Sequence, residues 1–461
     1  MAQFDDHVNS CTIRQGGRMP ADADTHSGAG DSGQETPERT AFSSLKIQGY
    51  RYLWLAGTFS FMAVQMQFLL RGVLAWDLTE REGALGLVYL CFGISMLIAT
   101  PLGGVAADRL PNRAVLLASQ MVLFVGALGM GLAVVTDVVQ FWMLLVAAVA
   151  TGTAFGFYGP TRVAFSARLV GADQLGNAIT LSMLSLNGTR VFAPSLAGVL
   201  AGIAFFGIGG AYLVSAAFSA VGFYFIARCP RGEVVTADDT RNPFQAIADG
   251  VRYVRRDAAL RRLVVTSFVV IMFGFNYVAF IPALVKDVFE LGDGWVGLIM
   301  SASAIGAVVV AASLAKRADG PDACRLMIIS GAVFGVGVAA LALSPNFAVA
   351  WIVVAVIGAG ATGFQSLSNA LALSIADEGH RGRVQSLMML SFAGFGIAAG
   401  PLGLLAELIG LRWAIALMGG AATAAMLVYG VIERNRLDDL AAADADPAAP
   451  AVANARPIVG R

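Results

Sequence analysis

The chain has 461 residues, of which 57% are hydrophobic and 13% charged, with a mean hydropathy of +0.71 and a formal net charge of +0. A soluble domain carries about 25% charged residues, so this composition excludes a soluble globular protein and implies an all-α chain that crosses a membrane many times. The balanced charge leaves no basic footprint for nucleic acid.

Residues 1–44 are polar, rich in Gly, Ser, Asp and Thr, and without apolar period. They read as a disordered tail. No secretory apolar stretch precedes the first long run, so that run serves as the targeting signal. Apolar runs then follow at about 52–76, 84–107, 114–135, 139–161, 176–203 and 210–228. After a polar break over 229–262, six more come at about 263–285, 295–316, 323–344, 347–373, 384–407 and 411–432. About 20 apolar residues span the hydrocarbon core as a helix, so twelve transmembrane helices are expected. They form one half at 45–228 and another at 263–435, and residues 436–461 form a second disordered tail. Within the break, Phe244, Ile247, Ala248, Val251 and Val254 recur at helical spacing with Arg252, Arg255 and Arg256 between them. This is a short amphipathic helix, either lying on the leaflet or forming a solvated linker.

Charge is distributed unevenly between the turns. On one side lie Arg109, Arg113, Arg162, Arg168, Lys316, Arg317, Arg325, Arg381 and Arg383, together with the Arg-rich break. The opposite turns carry only Arg81, Lys286 and Arg412, with Arg71 near a helix end. Positive residues mark the cytoplasmic side, which places both termini in the cytoplasm. The Arg-over-Lys bias, with the Ala, Gly and Val load, suggests a GC-rich bacterial gene and a bacterial inner membrane. Cys11, Cys91, Cys229 and Cys324 lie far apart and show no metal or disulfide spacing. No cofactor motif appears.

Three motifs stand out. The link Gly104-x-x-x-Asp108-Arg109-x-x-Asn112-Arg113 places a carboxylate in a basic turn between the second and third runs. Ala193-Pro194-Ser195-Leu196-Ala197-Gly198 in the fifth run is echoed by Ala399-Gly400-Pro401-Leu402-Gly403 in the eleventh, the fifth of its half. Such internal repeats mark transporters. Asn187-x-x-Arg190-x-x-Ala193-Pro194 adds an intramembrane cation. With these motifs, residues 45–435 resemble the major facilitator superfamily of secondary transporters. Arg381-Gly382-Arg383-Val384, and Tyr277 with Pro282, resemble its siderophore and drug exporter subgroup. Pro111 and Asn112 depart from the signature of the second link.

The resemblance implies two six-helix halves that rock about a central site. It also implies that Asp108 caps the start of the eleventh helix while Arg109 and Arg113 hold carboxylates or helix ends. The link would then be a clasp, and the alternative is a plain positive-inside anchor. Gly103 and Gly104 would let helices approach closely. Pro194, Gly198, Gly400 and Pro401 join the gating set. A buried charge needs a partner, so Arg190 is either a gating residue or a direct contact to an anionic substrate. Gln67 and Arg71, four residues apart on one helical face, are substrate candidates, unless Arg71 snorkels outward. Asn276, Tyr277, Gln365 and Asn369 either line a cavity with Asn187 or join helices.

No Asp or Glu lies deep in a run; Asp77, Glu290 and Glu407 sit at the ends. Coupling to protons therefore has no visible carrier group, unless Asp77 or the substrate bears the proton. No Walker loop or enzymatic constellation is present. The reading that results is a monomeric secondary exporter of a drug-like, siderophore-like or anionic amphipathic small molecule. The alternatives are a nutrient importer or facilitator, and a non-transporting membrane protein such as a lipid scramblase or sensor.

Overall fold

The computed structural model describes residues 43–171, 174–231, 251–314, 322–377 and 381–445. The expected tails over 1–42 and 446–461, and Phe244, Ile247 and Ala248 of the amphipathic segment, lie outside the described residues.

A short 3-10 turn, Ser43–Lys46, leads into α1 (Gln48–Thr79), α2 (Glu82–Arg109), α3 (Asn112–Val135), α4 (Phe141–Val170), α5 (Leu175–Gly202) and α6 (Gly207–Arg228). The second set comprises α7 (Ala258–Val288), α8 (Asp293–Leu314), α9 (Ala323–Ala342), α10 (Phe347–Ile375), α11 (Arg381–Ile409) and α12 (Leu411–Ala445). Among the described residues, 10 of these helices are long and apolar enough to cross a membrane. The other two long helices, α5 and α11, pack among them. Every turn reverses direction. One face of the bundle therefore carries the α2–α3 link with Asp108, and the other carries the α1–α2 link with Arg81. Leu404, Leu408, Val125 and Ile98 are exposed around the bundle, as a surface in lipid requires.

The helices of the second half repeat the pairings of the first. Pairs α2–α4, α3–α4, α3–α6, α1–α6 and α1–α5 recur as α8–α10, α9–α10, α9–α12, α7–α12 and α7–α11. The halves meet through α2–α11 and α5–α8, the same crossing generated twice. Each crossing is built on glycine. A Cβ placed on Gly198 of α5 would lie 2.0 Å from the Gly297 Cα of α8, and one on Gly93 of α2 would lie 2.7 Å from the Gly396 Cα of α11. Lipid tails provide no hydrophobic drive between helices, so small residues that allow backbone contact hold them together.

Several expected boundaries move. Asp257 caps α7, its Oδ1 accepting from Ala259 N (2.8 Å) and Leu260 N (3.0 Å). A carboxylate at a helix start satisfies unpaired N–H groups, so Arg261 and Arg262 belong to α7 and not to the polar break. Helix α4 runs on to Val170, which places Arg162 inside it rather than in a turn. Its guanidinium is buried, 4.8 Å from the centre of the Phe61 ring and 3.4 Å from Ser182 Oγ. Helix α12 continues to Ala445 on Arg, Leu and Ala, all strong helix formers, past the expected start of the tail. The described part of the amphipathic segment, helical over 251–256, packs on the bundle. Val254 is buried, and the Tyr253 hydroxyl donates to Asp377 Oδ2 at 3.1 Å.

Candidate functional site

Between the two halves lies a cavity of about 630 Å³. Its walls are apolar and aromatic: Phe68 of α1, Phe92 and Met96 of α2, Phe155 of α4, Phe275 of α7 and Phe395 of α11. The lining runs towards the Asp108 face through Thr100 of α2, Pro160 of α4, Leu184 of α5 and Ala311 of α8. On the opposite side it ends at an aromatic roof, where the Phe68 ring lies 5.4 Å from Phe395 and 6.2 Å from Phe92.

Eight polar side chains interrupt this lining: Gln65, Thr100, Arg190, Tyr277, Ser303, Thr362, Gln365 and Ser366. Arg190 of α5 donates from Nη1 to Oε1 of Gln365 on α10 at 2.5 Å, joining the two halves across the cavity. Tyr277 of α7 hydrogen-bonds Ser303 of α8, and both line the cavity. Tyr277 reaches it because α7 is not a regular helix. A π-helical turn, Val270–Gly274, is followed by a break at Phe275–Asn276 before helix resumes at Tyr277. Such bulges re-aim side chains and are frequent at functional sites. Gln65, two residues before the expected Gln67, also lines the cavity.

Beyond the roof the molecule is shut. Arg81 donates to Glu407 from Nε (3.1 Å) and Nη2 (3.4 Å), and Gly83 N donates to the same carboxylate at 3.1 Å. Lys286 of α7 pairs with Asp77 of α1 and with Asp293 of α8. The Arg81–Glu407 and Lys286–Asp77 pairs each join one half to the other. Asp108 is exposed and has no hydrogen-bond or ion-pair partner among the described residues. Arg109 is exposed too, and Arg113 donates from Nη2 to the Ala227 carbonyl at the end of α6, within its own half.

The remaining expected site residues divide. Gly198 and Gly400 sit at the two crossings, Gly198 on Gly297 and Gly400 beside Leu90 and Gly86. Pro194 lines the cavity, whereas Pro401 is exposed. Gly103 rather than Gly104 makes the close approach: a Cβ on Gly103 would lie 2.5 Å from the Gly156 carbonyl oxygen, while nothing stands within 4 Å of one on Gly104. Gln67 and Arg71 are buried within the first half and are not among the cavity-lining residues. Arg71 does not snorkel, because its Nη2 donates to Gln67 Oε1 (3.1 Å) and Thr151 Oγ1 (2.6 Å). Asn276 joins helices, donating to the carbonyls of Met272 (2.5 Å) and Phe395 (3.1 Å). Asn369 is half-buried beside the cavity and not part of its lining, and the side chain of Asn187 lies outside the described residues.

Reading the sequence missed two buried charges. Glu433 near the Asp108-face end of α12 pairs with Arg262 (3.5 Å) and Arg436 (2.8 Å), and Arg162 is the other. The three-residue spacing of Glu433 and Arg436 was a usable signal.

The chain is 24% identical over 298 residues to the enterobactin exporter EntS of Salmonella typhi, covering 63% of this chain and 70% of that protein. It is 22% identical over 359 residues to the staphyloferrin A transporter of Staphylococcus aureus, covering 76% and 87%. Among solved structures it resembles the nucleoside transporter NupG (TM-score 0.63, 15% identity, 83% of this chain and 98% of that one). It also resembles a bacterial homologue of the human lysosomal transporter Spinster in an inward-facing and occupied conformation (TM-score 0.64, 14% identity, 87% and 98%). The sequence model of the family matches residues 53–401. The repeated halves, the cavity between them and this match agree: the chain belongs to the Major Facilitator Superfamily of transporters.

Proposed function

We propose that this transporter exports a siderophore-like, drug-like or anionic amphipathic molecule across the bacterial inner membrane. The observation that carries the proposal is the cavity of about 630 Å³ between the halves, apolar and aromatic with one cation. Cavities of roughly 300–1,000 Å³ with a few placed polar groups suit ligands of drug size. Arg190 would meet an anionic group, and the aromatic walls a ring system. The names of the two relatives, one an enterobactin exporter and the other a staphyloferrin A transporter, support the siderophore class.

The excess of Arg on the Asp108 face supports a cytoplasmic assignment for that face, with both termini cytoplasmic and twelve spans in a monomer. The described conformation is then inward-facing. In the outward-facing state Asp108 would cap the start of α11. Asp108 lies in the last turn of α2, where its own helix dipole repels it, and a helix start would stabilise it. The coupling ion is a proton, and the Asp77–Lys286–Asp293 cluster is its best-placed carrier.

The test is uptake into inverted membrane vesicles. A catecholate or hydroxycarboxylate siderophore should accumulate when a proton gradient is imposed and should not when it is collapsed. Arg190→Gln should raise KM for the anionic substrate. Absence of uptake for both siderophore classes and for a panel of amphipathic anions would overturn the exporter reading. Counterflow of a nutrient would then favour import.

A further inference from the structure

The buried polar cluster around Arg71 lies beyond the aromatic roof and takes no part in the cavity. We infer that it is a binding site for one small monovalent anion, held inside the first half and separate from the transport cavity. Arg71 is 2% exposed, and its guanidinium stays charged at any working pH. Of its nitrogens only Nη2 donates to protein among the described residues. Nε is buried without a partner. The ionisable groups that interact with this cation are Tyr212 of α6 and Tyr89 of α2, both phenols. Among the described residues no carboxylate neutralises it.

Each polar group left without a partner near the cation has a proton to donate. Gln67 turns its Oε1 to Arg71, which leaves its Nε2 amide buried and unpaired. The Tyr212 hydroxyl is also buried and unpaired. Thr151 accepts from Arg71 and donates its own proton to the Ala147 carbonyl at 2.7 Å, so it has no proton left to donate. Tyr89 is likewise spent, donating to the Phe68 carbonyl at 3.0 Å. The groups left over are the Arg71 Nε–H, the Gln67 amide N–H and the Tyr212 O–H. A water would meet several donors with only two lone pairs and no charge. An acceptor-only anion satisfies them and neutralises the cation.

The surroundings limit its size. Gly72, next to Arg71, leaves room for the Tyr89 hydroxyl only because it lacks a Cβ, which would lie 2.7 Å from that oxygen and 3.3 Å from Pro282 Cγ of α7. Phe68 and Phe395 separate the cluster from the cavity. Packing this close admits at most a halide or a single carboxylate group, and not a whole organic substrate.

The experiment is thermal unfolding of the purified full-length protein in detergent at constant ionic strength. Gluconate is replaced in turn by chloride, bromide and acetate. A ligand of the folded state raises the melting temperature saturably. The wild type should show this with at least one of the three. A halide response identifies a resident inorganic ion, and a response to acetate alone identifies a small carboxylate as the occupant. Arg71→Gln should abolish the response. Tyr212→Phe, which keeps the packing, should raise the half-saturating concentration by about tenfold, the size expected for one hydrogen bond to a charged partner. No saturable response in the wild type, or an equal response in Tyr212→Phe and Arg71→Gln, would overturn the site. Because unfolding is the readout, the result is independent of which molecule is exported.

Discussion

The bond between Arg190 and Gln365 separates two roles for the cation. A hydrogen bond to a charged group contributes ~1.5–3 kcal/mol, enough to bias the bundle towards the conformation that makes it. If Arg190 acts mainly by joining α5 to α10, Gln365→Ala and Arg190→Gln should lower kcat alike, by about tenfold, with KM little changed. If Arg190 acts mainly on an anionic substrate, only Arg190→Gln should raise KM, because Gln365→Ala leaves the charge in the cavity. Measuring kcat and KM for both variants in vesicles decides between them. The sequence exposed Arg190 because a lone cation at mid-helix is conspicuous among apolar residues. It concealed the partner, since 175 positions separate Arg190 from Gln365 and only the packing of α5 and α10 on a shared cavity brings them together. Gln67 and Arg71 show the opposite failure. Their i, i+4 spacing correctly put them on one face, but a face of α1 can point into its own half or across to the other, and spacing carries no such information.

Helix packing follows the repeat, and the repeat was legible. The Gly-Pro echo in the fifth and eleventh runs marks the two helices that make the crossings between the halves. Which glycine bears a crossing was not legible, because it depends on which side of each helix faces its partner. Gly198 and Gly104 give a direct contrast. A Cβ on Gly198 would lie 2.0 Å from the Gly297 Cα, whereas one on Gly104 would meet nothing within 4 Å. Gly198→Ala should therefore force α5 and α8 apart, at a cost of about 1–3 kcal/mol as for other overpacked sites. Gly104→Ala should stabilise this conformation by ~0.5–1 kcal/mol, the helix preference of Ala over Gly. Thermal unfolding in detergent should show a lower melting temperature for the first and an equal or higher one for the second. Spin labels at Phe205 and Leu343, exposed on the two halves at the Arg81 face, should move apart only in Gly198→Ala.

For the molecule as a whole, the two faces differ in their charges, and on the proposed function the balance between them would set the turnover rate. In the described conformation the Arg81 face is latched by Lys286 between Asp77 and Asp293, and by Arg81 on Glu407. Asp108 on the other face is exposed and bonded to nothing among the described residues. Neutralising Asp108 therefore costs this conformation nothing and can penalise only the alternative. Asp108→Asn should keep the melting temperature, lengthen the dwell in the described conformation and reduce turnover several-fold, since a carboxylate at a helix start contributes about 0.3–2 kcal/mol. Lys286→Gln acts in the reverse direction. It leaves two carboxylates facing each other, which weakens the latched face by on the order of 1–2 kcal/mol once partial exposure is discounted. The Phe205–Leu343 label distance should lengthen, and turnover should fall again. A ligand or mutation shifts a two-state equilibrium only by its differential effect on the two states, and changes at sites on opposite faces add. The double variant Asp108→Asn with Lys286→Gln should therefore recover most of the lost turnover and return the label distances towards those of the wild type. A double variant slower than either single one would show that at least one of these charges acts on the substrate or the coupling proton, and not on the balance between the faces.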